Sequence, residues 1–207
     1  MDDAGCGRMN FIIRKAMPED IPGIAHAAAE AWHQTYAVSL PEKVRLDLLD
    51  LFYSPGWLKR AIAREDALFE TAVTAGGQIA GFAQWVYAIS PPAAVAPDPA
   101  PAPAPATAAT AASATASPDA TCELTRLYVR PASQGQGIGS ALLKHGLSKL
   151  PENILVKLGV KGGNAQAMRF YEKHGFVFDK ESWMPIGNIE FHLCWFIKRR
   201  GVSGWAE

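Results

Sequence analysis

The chain has 207 residues, which is enough for one domain with a sizeable core. Lysine plus arginine number 20, as do aspartate plus glutamate, so the formal net charge at pH 7 is zero. This balance argues against a protein that coats nucleic acid, although it does not exclude a local basic patch.

The spacing of the cysteines and the composition of the N-terminal segment argue against several further classes of protein. Cys6, Cys122 and Cys194 lie far apart and form no Cys-x-x-Cys pair, which argues against a zinc site or a disulfide framework. The segment MDDAGCGRMNFIIRK begins with acidic residues and lacks the apolar core of a signal peptide. No apolar run reaches the roughly 18 residues of a membrane span. We therefore expect a soluble, cytoplasmic protein with no membrane or nucleic-acid partner.

The first half of the chain predicts a strand, two helical stretches and a hairpin. The apolar run at 10–16 is typical of a strand, and Pro18 with the acidic pair after it suits a helix start. A second helical stretch at 41–65 is interrupted by a Ser-Pro-Gly sequence. Two strand-like runs within 67–89 flank Gly76–Gly77, the usual mark of a hairpin. The apolar residues at helical spacing in the first helix are Ile21, Ile24, Ala25, Ala28 and Trp32.

The segment at 90–120 differs in composition from the rest of the chain. It consists mostly of alanine and proline, with no aromatic residue and two charges. Alternating Ala-Pro favours extended polyproline II. Because the pieces on either side look incomplete alone, we interpret 90–120 as a flexible insertion within a single domain at 9–198. Short tails at 1–8 and 199–207 complete the predicted organisation.

The second half of the chain predicts alternating strands and helices. The segment 122–129 alternates like a strand, a Gly-rich turn and a helix follow it, and 153–160 is a further strand. Asn164 is placed to cap the next helix, and Gly175 to end it. FVFDKE and NIEFHLCWFIK close the chain as two strands. The resulting order, β-α-α-β-β-β-α-β-α-β-β, predicts a mixed sheet with helices on its faces. The apolar stripe of the helix after the Gly-rich turn is Ile138, Leu142, Leu143 and Leu147.

The turn SQGQGIGSALLKHG has three glycines at alternate positions immediately before that helix. A helix N-terminus offers unpaired N–H groups and a partial positive charge, so it suits an anion. Gly135, Gly137 and Gly139 remove the side chains that would keep a phosphate from those amides. A Walker loop would need a Gly-Lys-Ser/Thr ending, and a dinucleotide fingerprint would need glycine where Ser140 stands. A tight turn without a ligand is the remaining alternative.

The wider context of this turn identifies a family. Gln134 to Gly139 fit the signature Q/R-x-x-G-x-G/A, follow ELTRLYVRP, and precede a strand and the segment NAQAMRFYEKHGF. Together these motifs resemble the GNAT N-acetyltransferase superfamily. The segment 121–178 fits the family specifically, and 10–89 fits its order of elements loosely. The resemblance implies an α/β (α+β) fold: a mixed, mostly antiparallel central sheet splayed between the fourth and fifth strands, with helices on both faces.

By this resemblance, the ligand is acetyl-CoA, the acetyl donor. Turn amides would hold its pyrophosphate, and main-chain groups of Leu127 and Val129 would bond its pantetheine arm. Asn164 would contact the pantetheine or adenylate side, and Lys173 a CoA phosphate; a plain helix cap and a solvated lysine stay open as alternatives. No metal is implied. The residues assigned to the cofactor are Leu127, Tyr128, Val129, Gln134, Gly135, Gln136, Gly137, Ile138, Gly139, Ser140, Asn164 and Lys173.

The implied chemistry is attack of a neutral primary amine on a thioester, without an acyl-enzyme. Because a lysine-like amine has a pKa of about 10.4, a proton must be removed at pH 7. The resemblance implies Tyr171 as general acid beside the CoA sulfur; packing beside Phe170 is the alternative. Glu123 lies four residues before Leu127, so strand alternation places both on one side. Some family members carry a catalytic glutamate at this offset, so Glu123 is the candidate base, with water or a structural carboxylate as the alternatives.

The acetyl acceptor is not selected by the sequence, and small-molecule and peptide amines both stay open. Trp32 and Tyr36 fall where the family's first helices form the acceptor wall, although core packing also explains Trp32. His26 and His33 share a helical face but are seven residues apart, not the four of a metal pair. The resemblance also implies a homodimer. Two other functions stay open: a non-catalytic CoA-binding regulatory or scaffolding module, and a nucleotide-binding oxidoreductase.

Overall fold

The computed structural model describes residues 10–88, 120–186 and 189–201. Cys6, the predicted tail at 1–8 and all but the last residue of the predicted insertion at 90–120 lie outside the described residues. Contacts divide the chain into two compact units. The first is Met1–Val86 with Leu124–Lys149, and the second is Tyr87–Glu123 with Leu150–Glu207.

The order of elements follows the one predicted from the sequence, except that the second helical stretch forms two separate helices on either side of Ser54, where the Ser-Pro-Gly sequence interrupts it. The elements up to the Gly-rich helix are β1 Phe11–Lys15, α1 Ile21–Tyr36, α2 Glu42–Tyr53, α3 Pro55–Ala63, β2 Ala67–Thr74, β3 Ile79–Ala88, β4 Thr121–Val129 and α4 Ile138–Lys149. The remaining elements are β5 Leu155–Lys161, α5 Ala165–Lys173, β6 Val177–Ile186 and β7 Ile189–Arg199. Short 3-10 turns at Pro18–Asp20 and Pro131–Ser133 precede α1 and α4. Among the described residues, no helix is long and apolar enough to cross a membrane.

The strands confirm the predicted mixed, mostly antiparallel sheet. Their order is β1-β2-β3-β4-β5-β7-β6. The pairs β1–β2, β2–β3, β5–β7 and β6–β7 are antiparallel, whereas β4 and β5 are parallel. The described register of β4 with β5 joins Thr121–Glu123 to Leu155–Lys157 and includes no later residue of β4.

Helix α1 buries one face and is tied to β1 at its start. Its buried residues recur at the helical spacing of an amphipathic helix, and its first turn follows the buried Asp20. Both oxygens of this carboxylate accept hydrogen bonds from the Arg14 guanidinium, at 2.6 and 2.8 Å. Desolvation raises the pKa of Asp20, but the hydrogen bonds from Arg14 and the Met17 backbone outweigh it and hold the pKa below its usual value. The buried residues of α1 are Ile24, Ala27, Ala28, Ala31 and Trp32.

Strand β3 shows that helices cover both faces of the sheet in the first unit. Because side chains alternate along a strand, Phe82 and Trp85 point to opposite faces. Phe82 contacts the Tyr53 ring of α2, with ring centroids 6.1 Å apart. Trp85 is fully buried and lies against Gly146 of α4. The predicted placement of helices on both faces is therefore confirmed.

The buried stripe of α4 differs from the predicted one at a single position. Ile138, Leu142 and Leu143 are buried as predicted, but Gly146 is buried in place of Leu147, which is half-buried. A Cβ atom on Gly146 would overlap the Trp85 indole. Because Trp85 comes from β3, helical periodicity within α4 alone does not reveal this contact.

We predict that Gly146→Ala destabilises the protein, although alanine favours helix by about 1 kcal/mol over glycine. Overpacking a filled core costs typically 1–3 kcal/mol, and the added methyl group has no space beside Trp85. The matched control is Gly56→Ala in α3, where a Cβ atom meets nothing closer than Arg60 Nη1 at 3.7 Å. Urea denaturation is expected to show a lower free energy of unfolding for Gly146→Ala and no loss for Gly56→Ala. Equal stability of the two variants would contradict this packing.

Candidate functional site

The Gly-rich turn before α4 has a backbone that only glycine adopts readily. Gly135 has φ of 75° and Gly137 has φ of 84°, both in the left-handed region. A Cβ atom on either glycine would meet no atom within 4 Å. The space beside these two glycines is therefore open.

The first turn of α4 presents unpaired amides next to that open space. The backbone N–H of Ala141 donates to the Gly137 carbonyl at 2.9 Å, which is the first hydrogen bond of the helix. The N–H groups of Ile138, Gly139 and Ser140 therefore precede the helical ladder. The Gln134 N–H is already engaged, because it donates to the Pro131 carbonyl at 3.2 Å. The amides from Gly135 to Ser140 thus remain to bind an anion at the positive end of the helix.

The glutamine side chains of the turn bond to the chain around it. Gln134 Nε2 donates to the Val129 carbonyl at 3.2 Å and to Gln34 Oε1 of α1 at 3.0 Å. Gln136 Nε2 donates to the Ala132 carbonyl at 3.5 Å. The Gln134 side chain therefore joins the end of β4 to both the turn and α1.

The edge of β4 that faces away from β3 carries a second set of main-chain groups. The Arg130 N–H donates to the Ala80 carbonyl of β3 at 2.8 Å. Because main-chain groups alternate in direction along an antiparallel strand, those of Leu127 and Val129 point away from β3. The Val129 carbonyl is occupied by Gln134. Leu127 N–H, Leu127 C=O and Val129 N–H are therefore the groups that suit a ligand lying along this edge.

The Tyr128 side chain does not lie on this edge and packs into an aromatic cluster. Its ring lies 5.6 Å from Phe82 and 6.2 Å from Tyr53, measured between centroids. Burial raises the pKa of the Tyr128 phenol well above its usual value. Neither its main chain nor its side chain lies on the edge that Leu127 and Val129 present. The aromatic cluster consists of Trp32, Tyr36, Tyr53, Phe82 and Tyr128.

The two residues predicted for the acceptor wall both belong to this cluster. Trp32 is buried, and its ring meets Tyr36 edge-on with centroids 4.9 Å apart. Burial, with a smaller effect from Tyr53, raises the pKa of Tyr36 to about 12, against the opposing effect of its hydrogen bond with Tyr128. Trp32 therefore packs in the core, whereas Tyr36 is half-buried.

Arg126 of β4 is a charged residue that sequence reasoning did not select. Its guanidinium lies over the Trp57 ring, 4.0 Å from the centroid, and 5.3 Å from the Tyr53 centroid. It also donates a hydrogen bond to the buried side chain of Gln84. Strand alternation puts Arg126 on the same face of β4 as Tyr128, and this was the only indication of the contact in the sequence. The two partners, Trp57 and Gln84, come from α3 and β3.

A second charged residue missed by sequence reasoning fixes the end of β4. Arg130 Nε and Nη2 donate to the two carboxylate oxygens of Glu30 on α1, at 2.7 and 2.8 Å. The Arg130 hydrogen bonds hold the pKa of Glu30 below its usual value, although partial burial opposes them. This ion pair anchors α1 to the residue that directly precedes the 3-10 turn and the Gly-rich turn.

The second unit contains the remaining predicted site residues of α5. The Asn164 side chain accepts from the Ala167 N–H at 3.1 Å, so it caps the helix as predicted. Tyr171 is buried, and its ring meets Phe170 and Phe176 edge-on at 5.1 and 5.7 Å between centroids. Lys173 is exposed.

Glu123 also lies in the second unit, at the end of the register that β4 shares with β5. Its Cα partner on β5 is Lys157. Lys157 Nζ lies 3.5 Å from Glu123 Oε2, and both side chains are mostly shielded from solvent. The carboxylate is therefore held beside a cation.

Comparison with known proteins identifies the family of this arrangement. The model of the Acetyltransferase (GNAT) family matches residues 29–176, which include α4, the Gly-rich turn and α5. No curated protein sequence matches the chain.

Solved structures show the same fold. The PaiA N-acetyltransferase from Thermoplasma acidophilum, solved with coenzyme A, is 24% identical with a TM-score of 0.63, over 92% of this chain and 99% of that one. The ribosomal-protein-S18-alanine N-acetyltransferase from Escherichia coli is 18% identical with a TM-score of 0.59, over 94% and 97%. An N-acetyltransferase from Staphylococcus aureus Mu50 is 18% identical with a TM-score of 0.54, over 92% and 98%.

We predict that Gly137→Ala lowers the free energy of unfolding by about 1–2 kcal/mol, because alanine must adopt a left-handed backbone. Gly77→Ala in the β2–β3 hairpin is the matched control, since Gly77 has φ of 78° and an equally open surrounding. Urea denaturation is expected to give similar losses for the two variants. If Gly137→Ala proved fully stable while Gly77→Ala did not, the left-handed turn at Gly137 would be contradicted.

Proposed function

The chain belongs to the GNAT acetyltransferase family, and we propose that it transfers the acetyl group of acetyl-CoA to a primary amine. Members of this family use acetyl-CoA as the acetyl donor. The observation that carries the proposal is the left-handed Gly135–Gly137 turn, which opens onto the free amides of α4. The residues present fit the cofactor, because a Cβ atom at either glycine would enter the open space beside those amides.

We assign two parts of the first unit to the cofactor. The amides from Gly135 to Ser140 would hold the pyrophosphate, because they combine unpaired donors with the positive end of a helix. Main-chain groups of Leu127 and the Val129 N–H would bond the pantetheine arm as a neighbouring strand does. The Gln134 side chain donates to the Val129 carbonyl. It therefore holds the end of β4, which lies between the pantetheine edge and the pyrophosphate turn in the chain.

Tyr171 is the proposed general acid. Acetyl-CoA would supply the acetyl group as a thioester, and the residues of this chain would handle the proton of the amine and the proton of the leaving thiol. The Tyr171 phenol would donate a proton to the departing sulfur. The ring contacts with Phe170 and Phe176 fix the orientation of Tyr171 on α5.

Glu123 is the proposed base, which removes the proton of the attacking amine directly or through water. Lys157 Nζ, 3.5 Å from Glu123 Oε2, would hold this carboxylate in a fixed place. Asn164 and Lys173 are proposed to contact the cofactor, in addition to the helix cap that Asn164 forms. We propose a small-molecule or peptide amine as acceptor, with Tyr36 on the acceptor wall and Trp32 packed behind it.

We predict that Tyr171→Phe lowers kcat by about 10²–10⁴, the usual contribution of general acid catalysis, and leaves the affinity for acetyl-CoA unchanged. The measurement is release of CoA thiol from acetyl-CoA across a panel of amines and peptides. Phe178→Leu is the control, because it changes an exposed ring of β6 and keeps both the Tyr171 hydroxyl and its contacts with Phe170 and Phe176. Glu123→Gln run beside it is expected to lower kcat as well, because a glutamine amide cannot take the proton of the attacking amine.

The same panel separates the proposed enzyme from a non-catalytic module. An enzyme turns over at least one acceptor class and loses turnover with Tyr171→Phe. A binding module releases no thiol with any acceptor but is still stabilised against heat by acetyl-CoA. Equal turnover of wild type and Tyr171→Phe would contradict the role of Tyr171 alone, whereas a lack of both thiol release and stabilisation would contradict the proposed function.

A further inference from the structure

One face of the β6–β7 hairpin holds three side chains of the types that bind metal ions. Glu181 on β6 is the Cα partner of Cys194 on β7, and His192 precedes Cys194 by two residues. Because side chains alternate along a strand, all three fall on the same face. A carboxylate oxygen, an imidazole nitrogen and the Cys194 Sγ lie within 4.8 Å of one another.

The His192 ring is held in place from two sides. It stacks on the Trp183 indole, with centroids 4.7 Å apart and planes 18° from parallel. On the side of its Nδ1 atom lies Gly162, where a Cβ atom would overlap the ring. The Gly162 N–H also donates to the His192 carbonyl at 2.8 Å. The remaining ring nitrogen, Nε2, is directed at the Glu181 carboxylate, 2.9 Å away.

Solvent exposure increases from Cys194 to His192 to Glu181, so an ion can enter from solvent on the Glu181 side. Cys194 is buried, the His192 side chain is 31% exposed, and the Glu181 side chain is 56% exposed. An ion would therefore meet the carboxylate first and the sulfur last. The three groups supply one oxygen, one nitrogen and one sulfur donor, a mixed set that suits Zn²⁺ better than Mg²⁺ or Ca²⁺.

We propose that Glu181, His192 and Cys194 form a binding site for Zn²⁺ or a chemically similar divalent transition-metal ion. Three protein ligands leave the fourth tetrahedral position to water or another small ligand. On binding, the Cys194 sulfur exchanges its proton for a bond to the metal, and the proton passes to solvent without any change of oxidation state. This site is additional to acetyl transfer and independent of the assigned cofactor residues.

The sequence did not predict this site, because its ligands have no metal-binding spacing along the chain. The histidines are scattered and the cysteines isolated in the sequence, a pattern that predicts no metal. The antiparallel register of β6 and β7 brings Glu181 opposite Cys194. The three side chains can be recognised as neighbours only from that register. The alternative is a plain His192–Glu181 ion pair beside a buried cysteine.

The test is a titration of the metal-free, reduced full-length protein with Co²⁺, which reports a thiolate ligand through its near-ultraviolet charge-transfer band. We expect one equivalent of Co²⁺ to produce the band and Zn²⁺ to abolish it. Cys194→Ser should remove the band, whereas Cys122→Ser should keep it. Cys122 is the matched control, since it is also a buried cysteine of the second unit and forms no disulfide.

A surface variant keeps the test decisive where a core substitution disturbs folding. Loss of an outer-shell partner already weakens metal binding by roughly 10–100-fold, so Glu181→Gln is expected to weaken Co²⁺ binding by at least about tenfold. Glu172→Gln, at an exposed glutamate of α5, should bind Co²⁺ like wild type. Absence of the band in wild type, its persistence in Cys194→Ser, or unchanged affinity in Glu181→Gln would each overturn the proposal.

Discussion

The proposed function depends on two left-handed glycines. Gly135 and Gly137 allow the chain to leave the 3-10 turn and enter α4 with the amides of the first helical turn directed at open space. Any other residue at these positions would strain the backbone and place a Cβ atom in that space. The ion pair of Arg130 with Glu30 and the side-chain bonds of Gln134 hold the preceding segment against α1. In this proposal the anion site is therefore built before any ligand arrives, which would lower the entropic cost of binding.

Strand β4 serves two purposes through the alternation of its residues. Leu127 and Val129 turn their main-chain groups away from β3, where a cofactor arm would add as a further strand. Arg126 and Tyr128 turn their side chains into the aromatic cluster and against Trp57. In this proposal, cofactor binding and the acceptor wall are thus coupled through one stretch of backbone, so changes in the cluster are expected to affect the cofactor edge as well.

Local patterns in the sequence predicted the elements and the local geometry of several candidate site residues. The Gly76–Gly77 turn, the Asn164 cap and the glycines before α4 each act through residues close in the chain, so spacing alone revealed them. Contacts between distant elements were not predictable in the same way. Gly146 is buried because Trp85 reaches it from β3, and Glu181 meets Cys194 through the register of a hairpin. The engagement of the Gln134 amide likewise depends on a 3-10 turn that periodicity did not indicate.

The most direct test of the central claim is calorimetric binding of CoA to wild type, Gly137→Ala and Gly77→Ala. Both variants carry the same backbone strain, but only Gly137 borders the amides assigned to the pyrophosphate. We expect equal CoA affinity for wild type and Gly77→Ala and a Kd at least about tenfold higher for Gly137→Ala, a loss of about 1.4 kcal/mol. Unchanged CoA affinity in Gly137→Ala would contradict the assignment of the Gly-rich turn as the cofactor site.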